Sequence, residues 1–182
     1  MDWGIKLSTF AIAGLQLEID HGDNIDAIND EVRGLKRRFP WIDMVLIGEL
    51  AAFGPKLDKA EALPGPAEAR FAEVARECGV WLVPGSLYER QGSRIFNTTP
   101  VINPDGDVIA RYRKMYPFLP YEQGIDAGDQ SIVFDVPGKG RLGISICYDM
   151  WFPETTRTLA WMGAEVILHP VMTNTIDRDV EL

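Results

Sequence analysis

Apolar residues recur every three or four positions in three stretches of the chain, and this period predicts amphipathic helices. The predicted helices are Ile25–Phe39, Pro66–Cys78 and Pro153–Met162. Asp23 or Asn24 can cap the first helix, and Gly79 is the expected stop of the second. Cys78 lies on the apolar face of that second helix, so we expect it to be a core residue.

Short alternating or continuous apolar runs lie between the helices and predict strands. The predicted strands are Leu7–Ile19, Met44–Ile47, Val80–Tyr88, Arg94–Val101, Val108–Tyr112, Ile132–Val136, the run that leads into Cys147, and Glu165–Val171. Asn103-Pro-Asp-Gly-Asp carries turn chemistry at each position and predicts one hairpin. Helices between buried strands predict a single α/β layered domain with a mixed sheet.

Composition limits the classes of function. The chain has 182 residues, 46% hydrophobic and 25% charged, with a net charge of −9 and a pI near 4.7. An acidic chain is a poor partner for nucleic acid or an anionic membrane, because both require a basic face. No apolar run reaches the roughly 20 residues that span a bilayer. No secretory signal is visible, and two distant cysteines predict free thiols in a reduced cytoplasmic protein.

The stretch that carries the clearest chemistry is Arg141–Glu154. Leu142, Ile144 and Ile146 alternate as in a strand, the pattern stops at Cys147, and Pro153 suits the first turn of a helix. In layered α/β proteins ligands bind where strands end, and the free backbone N–H groups of the next turn can stabilise a thiolate or an oxyanion. A buried apolar cysteine is the alternative interpretation from this stretch alone.

Two charged residues also follow predicted strands. Glu49 ends the run Met44–Ile47 after Gly48, and Lys114 follows the hairpin. A carboxylate at the end of a buried strand is costly unless it is paired or takes part in chemistry. An amide hydrolase needs a nucleophile, a base and positive charge at the oxyanion, and Cys, Glu and Lys can supply these roles.

With these residues in place, the sequence resembles the nitrilase superfamily of carbon–nitrogen hydrolases. The resemblance is carried by Ile-Gly-Glu-Leu around Glu49, Tyr-Arg-Lys around Lys114, and Cys-Tyr-Asp-Met-Trp-Phe-Pro-Glu from Cys147. Asn97-Thr-Thr and Gly85-Ser are also similar to the family, and the resemblance covers nearly the whole chain. It implies an α-β-β-α sandwich and assembly into homodimers or larger homo-oligomers.

The resemblance also implies a role for each site residue. Cys147 is the expected nucleophile, and Glu49 the group that moves protons to and from the thiol, the leaving amine and water. Lys114 and the backbone N–H of Tyr148 are expected to hold the oxyanion. Glu122 matches a second glutamate that orients the lysine or the substrate, whereas a solvated loop glutamate is its plain interpretation.

The remaining candidates have weaker signals. By their position after Cys147, Tyr148 and Trp151 are expected to line the pocket, although core packing is an equal alternative. Asp149 is expected to cap the following helix. A Cys–His hydrolase would use His21 or His169, but it leaves Glu49 and Lys114 unexplained. We therefore expect His169 either to have its hydrogen bonds made within the protein or to line the pocket. No zinc-ligand spacing or phosphate loop is visible, so no metal or cofactor is expected.

The substrate stays open at this stage, because an amide, an N-carbamoyl compound or a nitrile all fit the same residues. Cys147–Glu154 is closer to amidases and carbamoyl hydrolases than to nitrilases. Thr173–Leu182 predicts the start of a helix capped near Thr175, whereas family domains continue with further helices and strands. We therefore expect residues 1–182 to be one truncated hydrolase domain. An inactive or assembly-dependent fragment is the alternative from another class, and the length of the reading frame distinguishes the two.

Overall fold

Three helices form where the apolar period predicts them. The computed structural model describes residues 9–20 and 22–173. Among these, the α-helices are α1 (Ile25–Arg38), α2 (Pro66–Cys78) and α3 (Pro153–Trp161). Asp23 Oδ1 accepts a hydrogen bond from Ile25 N at 2.9 Å at the start of α1. Gly79 ends α2 in the left-handed conformation, with φ +60°. The three predicted helices are confirmed.

Two sheets carry the strands of the described residues. The strands are β1 (Ile12–Leu15), β2 (Met44–Ile47), β3 (Trp81–Val83), β4 (Leu87–Gln91), β5 (Arg94–Ile102), β6 (Val108–Arg113), β7 (Ile132–Val136), β8 (Gly140–Ile144) and β9 (Val166–Leu168). The first sheet has the order β1-β2-β3-β5-β4, and β6 also pairs with β5. It is mixed, because β1, β2 and β3 are parallel and the later pairs antiparallel. The second sheet has the order β7-β8-β9.

The layers confirm the predicted sandwich. α1 and α2 pack on one face of the first sheet around Ile28, Phe71 and Leu82. The other face of that sheet packs against the second sheet, where Tyr112 and Ile144 share one apolar cluster. α3 covers the outer face of the second sheet, since Leu159 lies against Gly143 of β8. The order helix, sheet, sheet, helix is therefore the α-β-β-α arrangement. None of the helices in the described ranges is long and apolar enough to cross a membrane.

Several predicted strand boundaries were wrong. β1 is shorter than Leu7–Ile19 within the described part of the chain, β8 ends at Ile144 rather than at Cys147, and β9 is shorter than Glu165–Val171. A 3-10 helix, Cys147–Trp151, separates β8 from α3. The expectation of one hairpin was also wrong, because β4–β5 and β7–β8 are antiparallel neighbours joined by short turns. The predicted helix start near Thr175 lies outside the described residues.

The predicted strand Val80–Tyr88 is divided into β3 and β4 by Gly85. Gly85 has φ +76°, which interrupts an extended chain. A Cβ atom at this position would overlap the carbonyl oxygen of Gly48. The hydroxyl of Thr99 donates to the Gly85 carbonyl oxygen at 2.5 Å. The chain therefore crosses the end of β2 one residue before Glu49, and only glycine fits there.

We expect Gly85→Ala to destabilise the protein by well over the roughly 1–2 kcal/mol that a left-handed residue alone costs, because the new methyl group must also displace Gly48. Urea unfolding measures the loss. Gly54→Ala is the matched control, since Gly54 has φ +69° with no atom within 4 Å of a Cβ. Equal losses in the two variants would show that the close approach to Gly48 contributes nothing.

Candidate active site

Glu49 lies two residues after the end of β2 and is 4% exposed. Its Oε1 accepts hydrogen bonds from Lys114 Nζ and from Asn97 Nδ2, both at 2.9 Å. Its Oε2 accepts a hydrogen bond from Met172 N at 3.0 Å. The next residue, Leu50, has φ +54°, a conformation that apolar side chains rarely adopt. The bent backbone after β2 thus buries both the carboxylate of Glu49 and the apolar side chain of Leu50.

Lys114 lies where β6 ends and is 1% exposed. Its backbone N donates to Asn97 O at 2.8 Å, which continues the pairing of β5 with β6. Its Nζ donates to Glu49 Oε1 and, at 2.7 Å, to Glu122 Oε2. Burial lowers the pKa of Lys114, but the two carboxylates raise it by more, so the pKa lies above its ordinary value. Lys114 therefore remains a cation throughout the neutral range and cannot act as a base there.

Glu122 is 8% exposed, so the structure does not place it as a solvated loop residue. Its Oε2 accepts from Lys114 Nζ and, at 2.7 Å, from Phe118 N. Its Oε1 accepts from Asn97 Nδ2 at 2.9 Å. The loop that carries Glu122 has no apolar period, which is why the sequence alone could not decide between the two interpretations.

Cys147 occupies the turn between β8 and α3 with φ +45°, a strained conformation for a side-chain-bearing residue. Its thiol is partly buried, and burial together with the charge of Glu49 raises its pKa to about 12. The group next to Glu49 at neutral pH is therefore a thiol, not a preformed thiolate, and it needs a base at the moment of attack.

The segment 170–172 links the two residues. Pro170 O accepts a hydrogen bond from Cys147 N at 3.0 Å, and Val171 O accepts one from Glu49 N at 3.3 Å. Met172 N donates to Glu49 Oε2, and Met172 O lies 3.9 Å from Cys147 Sγ. The chain after β9 thus holds the carboxylate and the thiol side by side. Backbone groups carry no sequence signal, so this link could not be predicted.

These positions can be compared with known proteins. The sequence model of the Carbon-nitrogen hydrolase family matches residues 9–180. The chain belongs to that family. This confirms the resemblance that the motifs around Glu49, Lys114 and Cys147 suggested.

Three relatives illustrate the breadth of this carbon–nitrogen hydrolase family. The chain is 29% identical to human omega-amidase NIT2 over 177 residues, which cover 90% of this chain and 64% of that protein. It is 32% identical to the formamidase of Bacillus cereus over 171 residues, covering 89% and 51%. An amidase from Nesterenkonia sp. superposes with a TM-score of 0.81 at 26% identity, covering 94% and 68%. A structure of a variant of that amidase carries acrylamide added to its active-site cysteine. The chain thus spans less than two thirds of the length of both curated relatives.

Asp149 links the Cys147 turn to the loop after Lys114. It is fully buried, and it accepts hydrogen bonds from Ile146 N at 2.8 Å and from Tyr112 OH at 2.7 Å. It also accepts hydrogen bonds from the backbone N of Met115 and of Tyr116. Asp149 therefore caps the 3-10 helix that begins at Cys147, not α3 as expected. Burial raises its pKa despite these donors.

Tyr148 and Trp151 belong to a group of aromatic rings beside the site. Tyr148 is partly buried, and its ring centroid lies 4.8 Å from that of Phe118 and 5.6 Å from that of Trp151. Trp151 is 58% exposed, which excludes a core role for its ring. Because Phe118 N contacts Glu122, this group reaches from the buried carboxylates to the surface. Its position agrees with the expected pocket lining, which remains a prediction.

His169 is turned toward Ser145 rather than toward the thiol. Its Nδ1 lies 2.7 Å from Ser145 Oγ, and burial lowers its pKa. Nε2 is buried and has no hydrogen-bond partner in the described ranges. His169 Nδ1 is paired with Ser145, whereas Met172 holds the Glu49 carboxylate and the Cys147 thiol side by side, which favours the Glu–Cys interpretation over a Cys–His pair. His21 lies outside the described residues. No group of His, Cys, Asp and Glu that could hold a metal is found within residues 9–20 and 22–173.

Proposed function

We propose that the protein hydrolyses a small amide to a carboxylic acid and ammonia or an amine, through a thioester on Cys147. The observation that carries this proposal is that Met172 holds the Cys147 thiol next to the carboxylate of Glu49, which is itself hydrogen-bonded to the buried cation of Lys114. A base, a nucleophile and a fixed positive charge are the three groups that acyl transfer needs. The amidase names of the relatives support the same reaction class.

In the first half of the reaction Glu49 takes the thiol proton as Cys147 Sγ bonds to the carbonyl carbon. The carbonyl oxygen becomes an oxyanion, which Lys114 Nζ and the backbone N–H of Tyr148 stabilise. Tyr148 is the second residue of the 3-10 helix, where the first amides have no acceptor within the helix. The tetrahedral intermediate collapses when Glu49 returns the proton to the leaving nitrogen, so the C–N bond breaks and a thioester remains.

The second half reverses these roles. Glu49 takes a proton from water, and the resulting hydroxide bonds to the thioester carbon. The new oxyanion again lies at Lys114 and Tyr148 N. When the C–S bond breaks, Glu49 returns its proton to the sulfur, and the carboxylic acid leaves. Lys114 does not exchange protons in either half, because its raised pKa keeps it charged.

Ammonia release tests the proposal. The full-length protein is assayed with a panel of short amides, N-carbamoyl compounds and nitriles, next to its Cys147→Ala form. We expect ammonia from one or more amides with the native protein and none with the variant. Release from carbamoyl compounds or nitriles alone would move the function to the other reactions of the superfamily. No release from any member of the panel would favour an inactive or assembly-dependent chain.

We expect Lys114→Ala to reduce kcat about 100- to 1,000-fold, the usual loss when one oxyanion donor is removed. His169→Ala should cost far less, because its ring is bonded to Ser145. Steady-state kinetics of the two variants show which one loses more kcat. Their melting temperatures show whether both are equally folded. A larger loss in His169→Ala at equal folding would support the Cys–His mechanism.

We also propose that the protein is cytoplasmic and forms a homodimer or larger homo-oligomer. The free thiols Cys78 and Cys147 support a reducing compartment. Trp161 on α3 is 84% exposed, and a large exposed aromatic is typical of an interface. Light scattering after size-exclusion chromatography measures the assembly. A monomer at micromolar concentration would contradict it.

A further inference from the structure

Asn97 is a buried amide on β5 to which the reaction above gives no task. It has no exposed surface. The two hydrogens of its Nδ2 are donated to Glu49 Oε1 and to Glu122 Oε1, each at 2.9 Å. One amino group therefore joins two carboxylates that come from distant parts of the chain.

The orientation of this amide follows from chemistry. If it were rotated by half a turn, its oxygen would face two carboxylate oxygens, and three acceptors would meet without a hydrogen. With the amino group inward, Oδ1 is buried and has no hydrogen-bond partner in the described part of the chain. An unpaired buried acceptor costs stability. Position 97 therefore contributes through its donors and not through its acceptor.

Charge explains why a neutral donor is needed there. Glu49 and Glu122 surround Lys114, and its single positive charge is shared between them. Asn97 donates to the same two carboxylates from the other side, so the four side chains form a closed ring of hydrogen bonds. In this hydrogen-bonded ring each carboxylate is bonded to both Lys114 and Asn97. A second cation at position 97 would compete with Lys114 for the carboxylates, and a third carboxylate would repel them. An amide binds both without changing the charge of the site.

The ring also determines which oxygen of Glu49 is free to act. Oε1 accepts two hydrogen bonds, from Asn97 and Lys114, whereas Oε2 accepts one from Met172 N. Met172 O accepts from Cys147 Sγ at 3.9 Å, so Oε2 and the thiol contact the backbone of the same residue. We propose that Asn97 is a positioning residue that fixes Glu49 so that Oε2 receives the thiol proton. This inference rests on the proposed function.

The titratable groups around Glu49 determine how replacing Asn97 would change the pH dependence of activity. Glu49 faces Lys114, Glu122, Cys147 and Tyr88, and His169 lies near Lys114. Lys114 and Tyr88 do not titrate between pH 4 and 8, because their pKa values are raised, that of Tyr88 to about 12. Removing a donor from a carboxylate favours its protonated form. The acid limb of the activity profile should therefore move to higher pH.

The test compares Asn97→Leu with a matched control, Asn29→Leu. Asn29 is also a buried amide with an unpaired Oδ1, but its Nδ2 donates to Arg70 O at 3.3 Å between α1 and α2. We expect Asn97→Leu to lower kcat about tenfold to 100-fold, the scale of a small misplacement, with KM nearly unchanged. Alkylation of Cys147 by iodoacetamide, followed on its peptide from pH 5 to 9, should slow by a similar factor. Asn29→Leu should lower only the melting temperature.

Each outcome of this test either supports or overturns the proposal for Asn97. Native kcat and an unmoved acid limb in folded Asn97→Leu would overturn the proposal, while an inactive Cys147→Ala form would leave the function standing. If the native protein hydrolyses no amide, the function fails, and the alkylation profile still tests Asn97. If Asn97→Leu does not fold, Asn97→Ser replaces it, because a hydroxyl keeps one donor. Slower alkylation in that variant would support the proposal, and the native rate would contradict it.

Discussion

Replacing Cys147 by alanine or serine is expected to abolish amide turnover, with a loss of at least about 10,000-fold in kcat. Alanine has no nucleophile. A serine hydroxyl is a far weaker acid than a thiol, and the single carboxylate of Glu49 cannot activate it. The side chain is small and only partly buried, so the fold should persist. Ammonia release and far-UV circular dichroism measure the two properties together.

Cys78→Ala is the control for the loss of a thiol. Cys78 is also partly buried, but it lies at the end of α2 and packs against the helical side of the first sheet. Burial raises its pKa as it does that of Cys147, but Cys78 packs with the apolar cluster of α1 and α2 and not with the cluster that contains Cys147. Turnover in this variant should stay within about twofold of native. Activity within a few-fold of native in Cys147→Ser would remove Cys147 as the nucleophile.

Glu49→Gln is expected to lower kcat by at least about 100-fold, the usual scale for a general base. Glutamine keeps the size of the side chain, and its oxygen can still accept hydrogen bonds from Lys114 and Asn97. It cannot take the thiol proton. Its amino group would also face Met172 N, leaving that donor unpaired, so a loss of about 1–3 kcal/mol in stability should accompany the kinetic change. Kinetics and urea unfolding measure both.

Glu68→Gln is the matched control for this change. Glu68 is 3% exposed and makes two hydrogen bonds to Arg111, so it is also a buried and paired carboxylate. It lies on α2, outside the site, so its loss should lower stability and leave kcat within a few-fold of native. If Glu49→Gln turned over amide at the native rate, another group would have to serve as the base.

The sequence predicted the elements whose residues contact their neighbours in regular periods. Ile28 and Val32 repeat at helical spacing in α1, and Met44–Ile47 is a continuous apolar run in β2. The site residues at strand ends followed from the same reasoning, because a charge after a buried strand needs a partner. Their positions could therefore be predicted without knowing how the strands are arranged.

What the sequence could not show depends on contacts between distant residues. Asn97 appears as a polar residue in a strand and in the family-like stretch Asn97-Thr-Thr, but its two acceptors lie 48 and 25 positions away. The division of Val80–Tyr88 depends on the carbonyl of Gly48, which follows β2 and is distant in sequence. The backbone contacts of Met172 with Glu49 and Cys147 have no dependence on its side chain. Each of these features exists only once the sheets have packed.

The central claim is that catalysis proceeds through a thioester on Cys147, and that Glu49 is needed to form it from an amide and to hydrolyse it. A reactive ester, whose leaving group departs without a proton, should still acylate Cys147 when Glu49 is replaced. Mass spectrometry of Glu49→Gln, mixed with a reactive ester of the acyl group that the amide panel identifies, tests it most directly. The account predicts one acyl group on the Cys147 peptide, released by hydroxylamine and absent from Cys147→Ser. An acyl group on another residue, or ester turnover with no adduct on Cys147, would contradict it.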